Sequence, residues 1–256
     1  MKQIAVMARH ELDLLRAMWL PVMLYFLMPL AILAFIEGGF NVYLQFEDPA
    51  AGFSGADLAA PGQATMFGFM SLSTIGFLFL GDHGWGTWNR VRSLGVRPSQ
   101  IMASKLGTAY LNQLAIFAFV MTAASLLFDL TVRGPLIALV TVELFMAAVT
   151  VGYCLIACAV TRNQAEFNAF AYLGALVLAG LGGALTPFET LPGWAQAVAP
   201  LTPTYWSVRA FRKVILEGVG LWDVRVELAV LTLFAAVFFV VGAWLFDGNK
   251  ERTTWA

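Results

Sequence analysis

Residues Asp82 to Lys105 read Asp-His-Gly-Trp-Gly-Thr-Trp-Asn-Arg-Val-Arg-Ser-Leu-Gly-Val-Arg-Pro-Ser-Gln-Ile-Met-Ala-Ser-Lys. This is the longest basic interval between two long apolar runs, and it carries Arg90, Arg92, Arg97 and Lys105. Trp85, Trp88 and Val91 fall at steps of three, so the spacing predicts a short helix with all three on one side. Gly95 and Pro98 stop that helix, and Ser99 is placed to cap the next. A short basic loop between hydrophobic segments stays on the cytoplasmic side of a membrane. Two readings follow. The interval is a topogenic loop that only orients the chain, or it is a docking helix for a cytoplasmic partner. In the second reading Trp85 and Trp88 are the apolar anchors, and Arg90 and Arg92 the charged ones.

The rest of the composition demands a membrane. Hydrophobic residues make up 60% of the 256 and charged residues 12%, against about a half and a quarter in soluble domains. No basic patch interleaved with aromatics points to nucleic acid. Lys2 to Arg16 is too polar for the apolar core of a cleavable signal, so none is expected.

Working outward, residues 2–17 read as an amphipathic helix on the membrane surface, the alternative being a frayed tail. Ile4, Met7, Ala8, Leu12 and Leu15 form its apolar face, opposite Lys2, Arg9, Asp13 and Arg16, and Glu11 interrupts the apolar side. A first span is expected over about 18–38, near the roughly 20 residues a bilayer needs. Residues 39–60, with Glu47, Asp48 and Asp57, read as an outer loop, and Pro61 restarts the chain into a second span ending near Leu80. A third span occupies about 106–128, a fourth about 135–160, a fifth about 167–186 and a sixth about 228–246. The fifth carries small residues every four positions, Ala171, Ala175, Ala179 and Gly183, a ridge that lets another helix come close. Spacing leaves open whether that helix belongs to this chain or to a second copy. Between the fifth and sixth spans, residues 187–224 hold four of the ten prolines with Trp194, Tyr205, Trp206 and Trp222. Two short interfacial helices are expected there. One has Val208, Phe211 and Ile215 opposite Arg209 and Lys213, with Arg212 at the edge. Ten of the 15 Lys and Arg fall in the proposed inner segments. The outer five are Arg133, Arg209, Arg212, Lys213 and Arg225. The bias places both termini inside.

Chemistry is sparse. No nucleotide-binding loop, zinc motif or catalytic triad occurs, so no catalytic residue and no metal ligand set is assigned. Cys154 and Cys158, four apart, suit packing better than a metal pair, because neither histidine lies in their run. Glu143 is the only charged residue deep within a span. It either packs protonated against a neighbouring helix or lines a translocation path.

The order of elements carries a resemblance. Six spans, a surface helix before the first, a basic helix at 84–97 and a Pro/aromatic re-entrant segment at 187–224 resemble the permease subunits of type-2 ATP-binding-cassette (ABC-2) exporters. Gly86-Thr87-Trp88 through Lys105 is similar to the family's cytoplasmic Gly-Thr…Lys stretch. Leu191-Pro192-Gly193-Trp194 with Pro203-Thr204-Tyr205 is similar to its Leu-Pro-x-Trp and Pro-x-Tyr region. The sequence departs from the pattern twice. Gly84-Trp85 stand where the family has an acid, Asp82 being the nearest, and Ser104 replaces the Gly before the lysine. The resemblance implies a single all-α polytopic membrane domain over 1–256, in the inner membrane of a prokaryote. It also implies a second permease copy or paralogue, and a separate ATP-binding cassette subunit that holds ATP and Mg and hydrolyses the nucleotide; this chain is then not itself an enzyme. The helix around Trp85 to Leu94 would transmit the ATPase motion. The cargo expected is a small drug-like or lipid-like amphiphile, or polysaccharide. An immunity or sensor protein on the same fold is the alternative, and a proton-coupled secondary transporter a third.

Overall fold

A computed structural model describes residues 2–47, 52–248, 250 and 252. The side chains of 2–6, Ala8 and Glu47 lie outside the described residues, as does Asp48. The expected roles of Lys2, Ile4 and Ala8 on the first helix, and of Glu47 and Asp48 in the first outer loop, fall there.

The described residues form helices and turns without a strand among them: α1 (Lys2–Ala17), α2 (Trp19–Glu47), α3 (Gly55–Gly84), α4 (Thr87–Ser93), α5 (Pro98–Leu127), α6 (Leu136–Val160), α7 (Gln164–Leu181), α8 (Gly193–Val198), α9 (Pro203–Leu216) and α10 (Arg225–Leu245). Five helices among the described residues, α2, α3, α5, α6 and α10, are long and apolar enough to cross a membrane. The helix expected as the fifth span, α7, has 18 residues, about 27 Å at the rise of a helix. Its first turns carry Gln164, Glu166 and Asn168, so it is less apolar than the others.

Two boundaries differ from expectation for identifiable reasons. The first span continues to Glu47, and the second begins at Gly55 rather than Pro61. Ser54 and Asp57 form a reciprocal capping box that starts α3 a turn and a half earlier. Pro61 then sits inside the helix without ending it. The outer loop expected over 39–60 therefore shrinks to the few residues between α2 and α3. Asp57 is fully buried, and its second oxygen accepts from Thr131 N at 2.8 Å, joining this corner to the α5–α6 turn.

α3 is the centre of the bundle. Of its most apolar stretch 89% is buried, against 11% for α2 and 17% for α10, which lie at the periphery. Its many Gly, Ala and Ser residues permit that position, because helices on several sides approach its backbone. Gly68 lies under the Gln113 amide of α5 and Gly76 under the Phe167 ring of α7, and a Cβ at either would collide. α6 and α10 pair in the same way, Gly152 against Phe238 and Gly242 against Leu155.

Candidate functional site

The basic interval lies at the end of the bundle that carries α1 and the chain's last described residues. Lys105, two turns into α5, is 1% exposed. Its Nζ stands 2.7 Å from Glu11 Oε1 on α1 and 2.8 Å from Asp82 Oδ2 on the last turn of α3. It also donates to the Leu78 carbonyl at 3.2 Å. Three acceptors thus meet the three donors of one ammonium, which satisfies the buried charge. Asp82 Oδ1 accepts from Thr87 Oγ1 at 2.7 Å, on the first residue of α4. The Thr and the Lys of the Gly-Thr…Lys stretch therefore share one carboxylate. Ser104, at the other departure from the family pattern, returns its hydroxyl to Ile101 O within its own helix at 2.7 Å. Glu11, which interrupts the apolar face of α1 in the sequence, is the group that binds α1 to this junction.

The shared face expected for Trp85, Trp88 and Val91 is not formed. Gly86 takes φ +72°, a left-handed turn between α3 and α4, and this separates the two tryptophans. α4 is accordingly 87–93, shorter than the 84–97 expected. Trp85 remains on the end of α3, edge-on to Phe77 at 5.7 Å and 56% exposed. Trp88 turns inward, 3% exposed. It stacks on His83 at 4.3 Å, meets Phe79 edge-on, and donates Nε1–H to the Gly248 carbonyl at 3.2 Å. Arg90 is exposed and Arg92 half-buried. Leu94, which the sequence reading passed over, is the most open apolar residue of the turn. An apolar residue just beyond a short helix was its only sequence signal.

The segment after α10 joins the same junction. Lys250 Nζ donates to Ala159 O at 3.0 Å and Val160 O at 2.8 Å, capping the C-terminus of α6 where a cation is favoured. Burial, with the like charges of Arg252 and Arg162, lowers the Lys250 pKa from its ordinary value. The Arg252 guanidinium lies over the rings of Phe79 and Phe246, at 5.1 and 5.4 Å. Gly248, Lys250 and Arg252 are thus packed against this end of the bundle.

Glu143 sits within α6, 2% exposed, and its Oε1 accepts from Gln113 Nε2 on α5 at 3.0 Å. Ala171, Ala175 and Ala179 are buried within the chain, on a helix that packs against α3. Gly183 lies beyond the end of α7, in the turn that follows. Cys154 and Cys158 are free and buried inside α6. No group of three or more His, Cys, Asp or Glu among the described residues is placed to hold a metal.

At the far end, α9 presents Arg209, Arg212 and Lys213 to a cavity of about 330 Å³ whose other wall includes Phe40, Leu58 and Phe188. Phe211 and Ile215 are buried and Val208 half-buried. Arg209 Nε and Lys213 Nζ both contact Glu227 Oε1 at the start of α10, at 3.2 and 2.8 Å. Arg212 pairs with Glu189. Partial burial opposes the charge on Arg212, but the Glu189 carboxylate and the Tyr43 hydroxyl together outweigh it, so the guanidinium pKa is raised. The two short helices expected over 187–224 are α8 and α9; α8 lies between two 3-10 turns, and the second of these leads into α9.

A bundle of membrane-length helices with a pinned short helix at one end and a broken, aromatic segment at the other defines an all-α multi-pass membrane protein. Residues 58–244 match the model of the ABC-2 family transporter protein family, and the chain belongs to it. It is 24% identical over 197 residues to the linearmycin resistance permease protein LnrN of Bacillus subtilis (strain 168), covering 76% of this chain and 51% of that protein. It is 26% identical over 195 residues to ABC transporter G family member 20 of Dictyostelium discoideum, covering 72% of this chain and 26% of that one. The chain therefore spans about half the length of the first relative and a quarter of the second.

Proposed function

We propose that this chain is the membrane half of an exporter that moves a small drug-like or lipid-like amphiphile outward, driven by ATP hydrolysed on a separate cassette subunit. Both termini and α4 then face the cytoplasm, as the cation bias requires, and α7 crosses as the fifth of six spans. The resistance activity in the name of the Bacillus relative supports a drug-like cargo. The observation that carries the reading is the face around α4. Trp85, Arg90 and Leu94 stay open to solvent, on a turn that Thr87, Asp82 and Lys105 hold rigidly to α3 and α5. An exposed aromatic and an arginine on a fixed support form an efficient docking anchor, and the support passes movement to two helices at once. Trp88 fills the inner side of this element rather than the docking face. The test is co-purification of the assembled permease with its ATP-binding subunit. Trp85→Ala and Arg90→Ala should each weaken the complex by about 2 kcal/mol, roughly thirtyfold, at unchanged membrane level. Arg225→Ala, on an exposed cation at the far end, should leave it intact. Normal assembly and export in both loop variants would reduce the interval to a topogenic loop.

A further inference from the structure

The three elements α1, α2 and α5 border an open groove of about 530 Å³ at the end of the bundle that carries α1. Its wall is apolar, with Leu15, Trp19, Met23 and Phe26; Arg16 and Asn112 supply its polar groups. Phe26 is fixed there by edge-on contact with Phe119 at 5.4 Å. The charge on α1 is less balanced than its sequence suggests. Glu11 is turned inward and neutralised by Lys105, which leaves Arg9 and Arg16 against Asp13 on the exposed side. The Arg16–Asp13 pair at 2.9 Å is itself open to water, with side chains 78% and 55% exposed. Such a pair contributes little and exchanges readily for a stronger anion. A guanidinium above an apolar groove, with a half-open Trp at the joint of a surface helix and a span, is the chemistry that recognises a phosphate headgroup and its acyl chain at a membrane boundary.

We propose that this groove holds one anionic phospholipid from the leaflet on the side of the termini, its phosphate on Arg16 and one acyl chain along Leu15, Trp19, Met23 and Phe26. The site is independent of what the permease carries and of its nucleotide-binding partner. It lies beside the helix that Glu11 ties to Lys105, and so adjoins the junction that positions α4.

Native mass spectrometry of the detergent-purified permease, challenged with equimolar phosphatidylglycerol and phosphatidylcholine of matched acyl chains, tests it. The wild-type chain should retain phosphatidylglycerol preferentially. Arg16→Gln, on a solvent-exposed side chain, should lower that preference about fivefold, and Arg225→Gln should not change it. Val22→Trp, which fills the groove without altering charge, should lower retention of both lipids. Equal retention of the two lipids by the wild type would overturn the proposal. So would a loss in Arg9→Gln as large as that in Arg16→Gln, since a diffuse basic surface would then account for binding. Unchanged retention in Val22→Trp would also reject the groove as the seat of the acyl chain.

Discussion

The two ends of the bundle solve an ionic problem in opposite senses. At the end with the termini, one cation, Lys105, is shared by two carboxylates, Glu11 and Asp82. At the far end, one carboxylate, Glu227, is shared by two cations, Arg209 and Lys213. The first cluster is dry at its centre, with the lysine 1% exposed, and it joins three helices. In the second only the glutamate is buried; its cations are 47% and 26% exposed and border a cavity. Removing the central charge has different consequences in the two settings. At the far end both outer members reach water and are re-solvated; at the near end Asp82, 24% exposed, reaches water too, but Glu11, 6% exposed, is left buried beside it without a counter-charge. The near end is therefore built to hold its geometry, and the far end to tolerate change around the cavity.

The largest effect should come from removing the central cation. Lys105→Met keeps much of the side-chain volume but leaves Glu11 and Asp82 without a counter-charge. Breaking a buried pair from one side costs about 3–5 kcal/mol. Thermal stability and folded yield in detergent should both fall, while Glu11→Gln, which leaves Lys105 paired to Asp82, should cost distinctly less. A Lys105→Met variant as stable as the wild type would remove the basis for treating this junction as a rigid support.

At the far end, Glu227→Gln is expected to cost about 1–2 kcal/mol. It loses charge-assisted hydrogen bonds to Arg209 and Lys213, but both cations regain water. The same thermal assay applies. If Glu227→Gln destabilises as much as Lys105→Met, the contrast between a dry and a wet end is wrong. A change in transported substrate range with stability nearly kept would sharpen it, by placing the cavity on the export route.

Much of this architecture is legible in the sequence because a membrane imposes long apolar runs: α6 and α10 begin and end close to where those runs do, and α5 ends so but begins about two turns earlier, at Pro98. What escapes is whatever depends on a partner far along the chain. Glu11 looks like a flaw in an amphipathic helix because Lys105, 94 positions away, is invisible to a periodicity count. Trp85 and Trp88 look like one face because a three-residue spacing assumes a continuous helix, and the left-handed turn at Gly86 breaks it. Pro61 looks like a start because proline favours first turns, yet the Ser54–Asp57 box has already begun the helix. Nor does the sequence show that, beyond the last span, Arg252 lies over two rings and Lys250 caps α6. The apolar face of α9 was readable, but its cavity was not, since Phe40 and Leu58 reach it from the first two spans.

Glu143 extends the comparison to another buried carboxyl, one with no cation beside it among the described residues. Its Oε1 accepts from the Gln113 amide, and Gln113 in turn lies against Gly68 of the central helix. Neither side chain lines the cavity at the far end. Enclosed among α3, α5 and α6, the carboxyl accepts an interhelical hydrogen bond, and the packing reading, one of the two that the sequence leaves open, makes the following expectations. Glu143→Gln preserves its shape and an acceptor oxygen, so stability and transport should stay close to wild type, the smallest effect of the series. Glu143→Leu removes the acceptor and leaves the Gln113 amide buried without its partner. The cost should be about 1–3 kcal/mol, read as reduced folded yield. Transport per folded molecule should be unaltered. A Gln variant that folds normally but exports a different range of substrates would transfer Glu143 from the packing of α5 against α6 to the translocation path.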